Sequence, residues 1–462
     1  MIHMLEVYVG PTAFRNGVRR YMRAHAYGNA IDADLWREVQ AAAGKPVLQM
    51  EADFTRQPGL PLLRVEKANG TGEQVKLTLS QGRFAEDPST IESAQVLHWH
   101  IPVAVSSGGV IQTYLLAGSA PTTLTVSEDG PVIVNSGQSS YVRTFYPNSM
   151  IKGLASTVGL VQPADQLGLL YDCWALGQSG YAPVSDYLDL ARAIPAEADP
   201  IVWLQIIGTY SAIHRLYSGN PNQAAFAAFA IERLRPIAAR LGWDPRTNEE
   251  ANAAKLRDAV LEALSQFGDQ TVVSEARQRF DAAMDDSKSM PPATRQTVIS
   301  IMARNADSAT LDRLISAVRT TKDPLKKENL FFTINRVADP SSAERVMLLD
   351  IGPDAPVGTA PYLFWTLSFD HPDLAWNGAL RYFEQPDSPI DSQLRRFMLP
   401  EIASQSTNPQ RIADLQAYAE KNIAPSARES VESAIASIKL NASFKSEHIR
   451  EVDHWLVATS AH

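Results

Sequence analysis

The sequence predicts a multidomain, mainly α-helical protein with three parts in order. A short helical N-terminal segment precedes a small β-sandwich, and a large superhelical domain of the HEAT or armadillo kind follows. Apolar residues recur with the helical period before about residue 45 and after about residue 150, and at every second position between them. A length of 462 residues also fits about three domains, which we place at residues 1–45, 46–146 and 147–462.

The N-terminal segment is predicted to be helical because one face of it is apolar. That face comprises Phe14, Val18, Tyr21 and Met22. Asp32 is a candidate N-cap for a second helix, and Gly44 with Pro46 is expected to end it. The basic side chains beside the apolar face are Arg15, Arg19, Arg20 and Arg23. They could bind an anion, but a solvated helix face is the simpler interpretation.

The central segment alternates apolar and polar residues, which predicts about six strands. The clearest alternations are Val75, Leu77 and Leu79, and then Leu97, Trp99 and Ile101. Turn-forming dipeptides separate the predicted strands, and they include Asn69-Gly70, Gln81-Gly82 and Asp129-Gly130. Short strands at this spacing indicate a small sandwich or barrel.

The C-terminal segment is dense in helical signals. Asp323 and Asp339 each precede a proline, so each is a predicted N-cap, and Gly242 is predicted to end the helix before it. The internal repeat is weak, so the superhelical prediction rests on helix density rather than on periodicity.

Composition excludes several functional classes. The chain has 42 basic and 51 acidic residues and a net charge of −9, which argues against a nucleic-acid or anionic-membrane partner. No apolar run approaches the ~18 residues that span a bilayer. Glu6 occurs too early for a signal peptide, so we expect a soluble chain whose compartment is unknown. The single Cys173 cannot form an internal disulfide.

A zinc-peptidase motif, H-E-x-x-H, would need two histidines four residues apart. None of the nine histidines forms such a pair. The nearest approach is His98 and His100, which would share one face of a predicted strand. They are either part of a metal site or, as we favour, polar residues on the outer face.

The other reactive residues have simple structural interpretations. His448 and His454 are expected at the surface near a terminal helix, and Cys173 in the core rather than as a nucleophile. Asn69 and Asn441 begin N-glycosylation triplets, which matter only in a secretory setting. The sequence therefore supplies no catalytic residue and no metal ligand, and it leaves the substrate-binding residues unknown.

Several segments, taken in order, resemble the aminopeptidase N family of zinc metallopeptidases. They are residues 14–22 (FRNGVRRYM), 25–30 (HAYGNA), 34–36 (DLW), 55–61 (TRQPGLP), 99–102 (WHIP), 135–146, 172–176 (DCWAL), 199–203 (DPIVW), 241–244 (LGWD), 256–257 (LR), 371–376 (HPDLAW) and 455–456 (WL). No single segment decides the resemblance, but their order and spacing span nearly the whole chain. Phe54, Ser140 and Gln166 depart from the family pattern, which usually has Trp, Gly and Arg there.

The resemblance implies the end of a thermolysin-like catalytic domain, then a β-sandwich, then an ERAP-like helical domain. The family's zinc ligands, general-base Glu, G-A-M-E-N segment and catalytic Tyr all precede the helix that begins this sequence. No residue here matches them, so we expect no cofactor in this chain, although the parent family uses zinc. Without that site the chain should not hydrolyse peptides alone.

Two functional hypotheses follow. The chain is either the C-terminal part of an aminopeptidase, shaping and closing the chamber that admits peptide substrates, or a stand-alone helical module that binds peptides or a protein. As part of an aminopeptidase it would be a truncated product or one half of a split enzyme. The apolar face of residues 14–22 would then have lost its partner, so we expect self-association or a separate catalytic half as partner.

Overall fold

The computed structural model describes residues 1–68, 74–91, 97–127, 129–285, 290–385 and 390–460. Contacts divide the chain into two compact units, residues 1–198 and 199–462. The mainly helical, multidomain architecture predicted from the sequence is confirmed, and the boundaries at residues 45/46 and 146/147 stay predictions. No helix in the described ranges is long and apolar enough to cross a bilayer.

The first unit begins with four helices that share a small core. They are α1 (Ile2–Val9), α2 (Pro11–Ala24), α3 (Asp32–Ala43) and α4 (Val47–Arg56). Trp36, Val39, Val47 and Met50 are buried in this core, and Phe14 packs against its margin. Met22, on the predicted apolar face, remains exposed.

Two details of the N-terminal prediction are wrong. Asp32 is the first residue of α3 rather than its cap, and the Asp34 carboxylate caps the helix by accepting a hydrogen bond of 3.0 Å from the Ile31 backbone N–H. Residues 47–56 form α4, although the strand-rich segment was expected to begin at residue 46. Gly44 does end α3, with a φ of 65° that favours glycine.

Gly17 lets α2 and α3 approach closely, which leads to a testable prediction. A Cβ at residue 17 would lie 2.5 Å from Val39 Cα and 2.9 Å from Val39 N. We expect Gly17→Ala to lower the free energy of unfolding by about 1–3 kcal/mol, because two backbones must separate. Urea unfolding measures the change.

The matched control is Gly153→Ala, which lies in a helix where a Cβ meets nothing within 4 Å. There alanine should stabilise by about 0.5–1 kcal/mol through helix propensity. Equal unfolding midpoints for Gly17→Ala and the unmodified protein would contradict the close-packing argument.

Within the described ranges, seven strands form two sheets. The strands are β1 (Leu60–Ala68), β2 (Gln74–Phe84), β3 (Ile101–Ser107), β4 (Val110–Leu116), β5 (Thr122–Ser127), β6 (Ile133–Val134) and β7 (Arg143–Phe145). One sheet has the order β5-β2-β1-β7, in which only β1 and β7 run parallel, and the other is an antiparallel β4-β3-β6 sheet.

Two strand-level predictions are wrong, and both errors involve Gln81. The predicted turn at Gln81-Gly82 lies inside β2, and the predicted strand from Leu97 to Ile101 begins only at Ile101. The Gln81 side chain accepts a hydrogen bond from Trp99 N at 2.9 Å and donates to Trp99 O at 3.0 Å. This contact fixes residue 99 without a partner strand. Asn69-Gly70 lies outside the described residues.

The first unit ends with α5 (Asn148–Thr157), α6 (Pro163–Gln178) and α7 (Val184–Ala193). Strand β7 and the loop before it are joined to α6 by hydrogen bonds. Asp165 accepts from Gly137 N at 2.6 Å, and Asp172 accepts from Thr144 N at 2.9 Å. The bond between Thr144 and Asp172 connects two of the segments that carry the family resemblance, residues 135–146 and 172–176.

The second unit is an array of helices. They are α8 (Pro200–Leu216), α9 (Gln223–Leu241), α10 (Ala251–Gln266), α11 (Gln270–Asp285), α12 (Pro292–Arg304), α13 (Ser308–Thr320), α14 (Pro324–Ile334), α15 (Pro340–Asp350), α16 (Ala360–Ser368), α17 (Pro372–Phe383), α18 (Ser392–Ala403), α19 (Gln410–Asn422), α20 (Glu429–Ser443) and α21 (Ile449–Ser460). The predicted caps Asp323 and Asp339 and the helix end at Gly242 are confirmed.

The even-numbered helices from α8 to α20 form one row, in which each helix contacts the next even-numbered helix. We call this the continuous row. The odd-numbered helices α9, α11, α13, α17 and α19 pack against both sequence neighbours in the row, and α15 packs against α16, as in a superhelical stack of hairpins. The last helix returns to the first hairpin, where Asp453 accepts a hydrogen bond of 2.8 Å from the Tyr217 hydroxyl.

Candidate functional site

Three arginines lie at the C-terminal ends of helices in the continuous row. Arg215 is in the last turn of α8, Arg304 ends α12, and Arg336 follows α14. Cations at these positions are favoured by the helix dipoles. We call these three residues the arginine cluster.

The pKa values of Arg215 and of the neighbouring His214 are lowered within the arginine cluster. Burial lowers the pKa of Arg215, and the charges of Arg304 and Arg336 lower it further, while Asp370 acts in the opposite direction. The pKa of the adjacent His214 falls to about 4, first because of burial and then because of Arg304. His214 is therefore neutral at physiological pH.

Two carboxylates partly neutralise the arginine cluster. Arg304 makes a two-bond ion pair with Asp370, at 2.9 and 3.0 Å, and Arg336 donates to Glu262 at 2.7 Å. Burial alone would raise the pKa of Asp370, but the hydrogen bonds and charge of Arg304 hold it below its usual range. Arg304 and Arg336 thus have carboxylate partners, whereas Arg215 is attracted by Asp370 without a hydrogen bond to it in the described residues.

Aromatic rings border the arginine cluster. The Arg215 guanidinium lies 5.5 Å from the centre of the Phe369 ring, and Trp365 contacts that ring edge-to-face at 5.2 Å. Tyr362 and Trp365 lie on the same side of α16 and are partly exposed. In the part of the chain that the structure describes, no acceptor hydrogen-bonds to the Arg215 guanidinium.

This arrangement is suited to binding an anion rather than to proton transfer. A guanidinium has five donors and stays protonated, so it recognises carboxylates but does not act as a base. Neighbouring partly exposed aromatic rings add apolar area beside the charge. A carboxylate next to an apolar group therefore fits the site.

The described residues do not fit the zinc that the family resemblance implies. Within the described ranges, no group of three or more His, Cys, Asp or Glu side chains could hold a metal ion. His100 Nδ1 lies 2.6 Å from Asp53 Oδ2, and His100 N donates to the same oxygen at 2.8 Å. One imidazole and one carboxylate are fewer than the three protein ligands of a catalytic zinc.

The pair of His98 and His100 is not on a strand, because both residues precede β3. The interpretation of a polar outer strand face is therefore wrong. His100 instead connects α4 to the start of β3 through Asp53. His98 is only partly buried, and its Nδ1 atom has no hydrogen-bond partner in the described structure.

The remaining sequence candidates are not members of the arginine cluster. Cys173 is buried in α6, as expected, and burial raises the pKa of its thiol, with Asp186 and Asp172 adding to the effect. The N-terminal arginines, Arg15, Arg19, Arg20 and Arg23, are all exposed on α2, as a solvated face requires. His454 is exposed and His448 is half-buried, 3.4 Å from Glu451.

Sequence reasoning missed the arginine cluster. Its members and Asp370 are separated by up to 155 positions (215 to 370), so no local spacing connects them. The only available signal was a basic residue near the end of several predicted helices, which is common in any helical protein.

Comparison with known proteins identifies the family. The profile of the ERAP1-like C-terminal domain matches residues 131–440, which is more than half of the chain. The chain belongs to the M1 aminopeptidase family. The profile of the Peptidase family M1 domain matches residues 1–54, so the chain corresponds to a C-terminal portion of an M1 aminopeptidase.

Relatives in the M1 family include plant, fungal and animal enzymes. Aminopeptidase M1 of Arabidopsis thaliana is 24% identical over 98% of this chain and 54% of its own length. Aminopeptidase 2 of Candida albicans is 24% identical over 75% of this chain and 38% of its own length. Glutamyl aminopeptidase of Bitis rhinoceros is 26% identical over 73% of this chain and 36% of its own length. The chain thus spans about half the length, or less, of these relatives.

Proposed function

We propose that this chain forms the helical wall of the peptide chamber of an M1 aminopeptidase and does not hydrolyse peptides by itself. The observation that carries the proposal is the arginine cluster beside Phe369 and Trp365. A peptide carries both a carboxylate and apolar side chains, and these are the groups that such a surface binds. Binding there would select and hold a substrate without performing chemistry on it.

The sequence supports the proposal that the chain does not hydrolyse peptides by itself. The 462 residues contain no H-E-x-x-H motif, and the family resemblance implies that the zinc ligands belong to a segment that no position here matches. The catalytic residues would therefore come from another polypeptide or from a longer form of this one. A split enzyme and a remnant of a longer gene are both compatible with this proposal.

Peptide binding by the full chain is testable by calorimetric titration. A mixed peptide pool with free C-termini should release heat, and the same pool with amidated C-termini should bind more weakly. Arg215→Gln should weaken binding about tenfold, since a charge-assisted hydrogen bond contributes on the order of 1.5 kcal/mol. The matched control is Arg313→Gln, an arginine on α13 that pairs with Asp281 outside the cluster.

Activity is measured separately with an aminoacyl-anilide, zinc and either the chain alone or the chain with the catalytic half of a relative. We expect turnover only in the mixture. Turnover by the chain alone would refute the proposed inactivity. Binding without recovered activity in any mixture would favour the stand-alone module, and absence of heat with every peptide would refute the chamber role.

A further inference from the structure

Strand β4 forms one edge of the β4-β3-β6 sheet. On its other side no strand lies among the described residues. Its seven residues, VIQTYLL, contain no charged side chain and no proline. Edge strands usually carry a lysine, a proline or a bulge, since their unpaired N–H and C=O groups otherwise recruit another strand. The β4 edge carries none of these protections.

The side chains of β4 also leave apolar surface exposed. Ile111 is 64% exposed and Leu115 is 36% exposed, and both lie on the same face of the strand as Thr113. Strand β5, one edge of the other sheet, does not expose an apolar row of this kind, because its apolar residues Leu124 and Val126 are buried. Strand β4 therefore combines an edge that no described strand pairs with and an exposed apolar row.

The exposed row is complementary to itself. If two copies of β4 pair in antiparallel orientation about a two-fold axis at Thr113, Ile111 of one copy faces Leu115 of the other. Gln112 then faces Tyr114, and no like charges meet. A closed two-fold contact of this kind places the apolar rows of the two copies side by side on one sheet face, where Ile111 and Leu115 contact across the strands.

We propose that the β4 edge pairs with the β4 edge of a second copy of this chain, joining the two β4-β3-β6 sheets into one continuous sheet. The occupant is a second copy because the strand supplies both halves of the complementary row. This inference is independent of the proposed peptide chamber, since it involves neither the arginine cluster nor catalysis.

Light scattering across a concentration series tests the oligomeric state of the full chain. We expect the mass to rise from 50.6 kDa towards twice that value. Ile111→Lys should hold it at the monomer mass, because a lysine on each copy would face Leu115 of the other and remove the apolar cross-strand contact. Two controls replace equally exposed apolar residues elsewhere: Ile31→Lys beside the N-terminal helices and Val457→Lys on α21.

A second variant locates the contact without weakening it. Directly opposite residues in an antiparallel pair have Cα atoms about 4.5–5.5 Å apart, within the range of a disulfide. Thr113→Cys should therefore form an intermolecular disulfide on mild oxidation. Thr125→Cys on the β5 edge should not, and the natural Cys173 is buried.

Each outcome decides the proposal. A concentration-dependent mass that Ile111→Lys abolishes, together with cross-linking of Thr113→Cys, supports it. A monomer at every concentration overturns it, and so does a dimer that only Ile31→Lys abolishes, which would place the contact on the N-terminal helices. Cross-linking of Thr125→Cys in place of Thr113→Cys would assign the contact to the other sheet.

Discussion

Replacing Asp370 by asparagine is expected to lower the free energy of unfolding by about 3 kcal/mol, although the new side chain has nearly the same shape. Asp370 is the acid that pairs with Arg304 and also attracts Arg215. Its removal leaves guanidinium groups close together in a partly dry environment, and breaking such a buried pair typically costs ~3–5 kcal/mol. We place the effect at the lower end because asparagine can still accept a hydrogen bond.

Denaturant unfolding of Asp370→Asn measures this cost, and Asp312→Asn is the matched control. Asp312 pairs with Arg345 between neighbouring helices, but both side chains are substantially exposed. Exposed pairs contribute ~0.2–1 kcal/mol, so the control should unfold almost like the unmodified protein. Sulfate should stabilise Asp370→Asn more than it stabilises the unmodified protein, because an anion can replace the lost carboxylate. Equal losses in the free energy of unfolding for Asp370→Asn and Asp312→Asn would contradict the argument that burial makes the Asp370 ion pair costly to break.

The features that the sequence predicted correctly are local. Asp323 is followed by proline, and its carboxylate accepts bonds from Leu325 N and Lys326 N, as the capping rule requires. Gly242 ends α9 for an equally local reason, a φ of 68°. These features need only a few neighbouring residues, so a sequence pattern suffices to predict them.

Apart from the cap of α3, which Asp34 provides in place of Asp32, the errors have long-range causes, with one exception. Residues 97–100 have a strand-like alternation, but Trp99 is held by Gln81, eighteen positions away. The arginine cluster likewise exists only because the row brings helix ends together. The exception is α4, where Val47, Met50 and Phe54 have helical spacing that would have predicted the helix.

Asp350 and Asn335 form a buried pair whose hydrogen bonding is incomplete when the carboxyl is ionised. Asn335 Nδ2 donates to Asp350 Oδ1 at 3.0 Å, while Asp350 Oδ2 and Asn335 Oδ1 have no partner in the described structure. Both unsatisfied atoms are acceptors, and a proton on the carboxyl supplies the missing donor. Burial raises the pKa of Asp350 to about 8, although the bond from Asn335 opposes the shift. The folded protein therefore holds this carboxyl protonated at neutral pH.

This proton makes folding stability dependent on pH. Between about pH 4 and pH 8 the unfolded chain releases the Asp350 proton and the folded chain keeps it, so this group lowers the free energy of unfolding as the pH rises. Asp350→Asn removes the titration and keeps a donor for the pair. We expect the stability of the variant relative to the unmodified protein to rise by about 3–4 kcal/mol between pH 5 and pH 8, at ~1.4 kcal/mol per pH unit with a smaller slope near pH 8.

Urea unfolding of both proteins at each pH provides the test, because the difference between them cancels every other titrating group. The measurement near pH 5 serves as the internal control, since there both proteins carry a neutral side chain at position 350 in the folded state. A difference that stays constant from pH 5 to pH 8 would show that the carboxyl is ionised in the folded protein. In that case Asp350 Oδ2 and Asn335 Oδ1 would have to obtain hydrogen-bond donors from another group. Folding stability would then not depend on pH through Asp350.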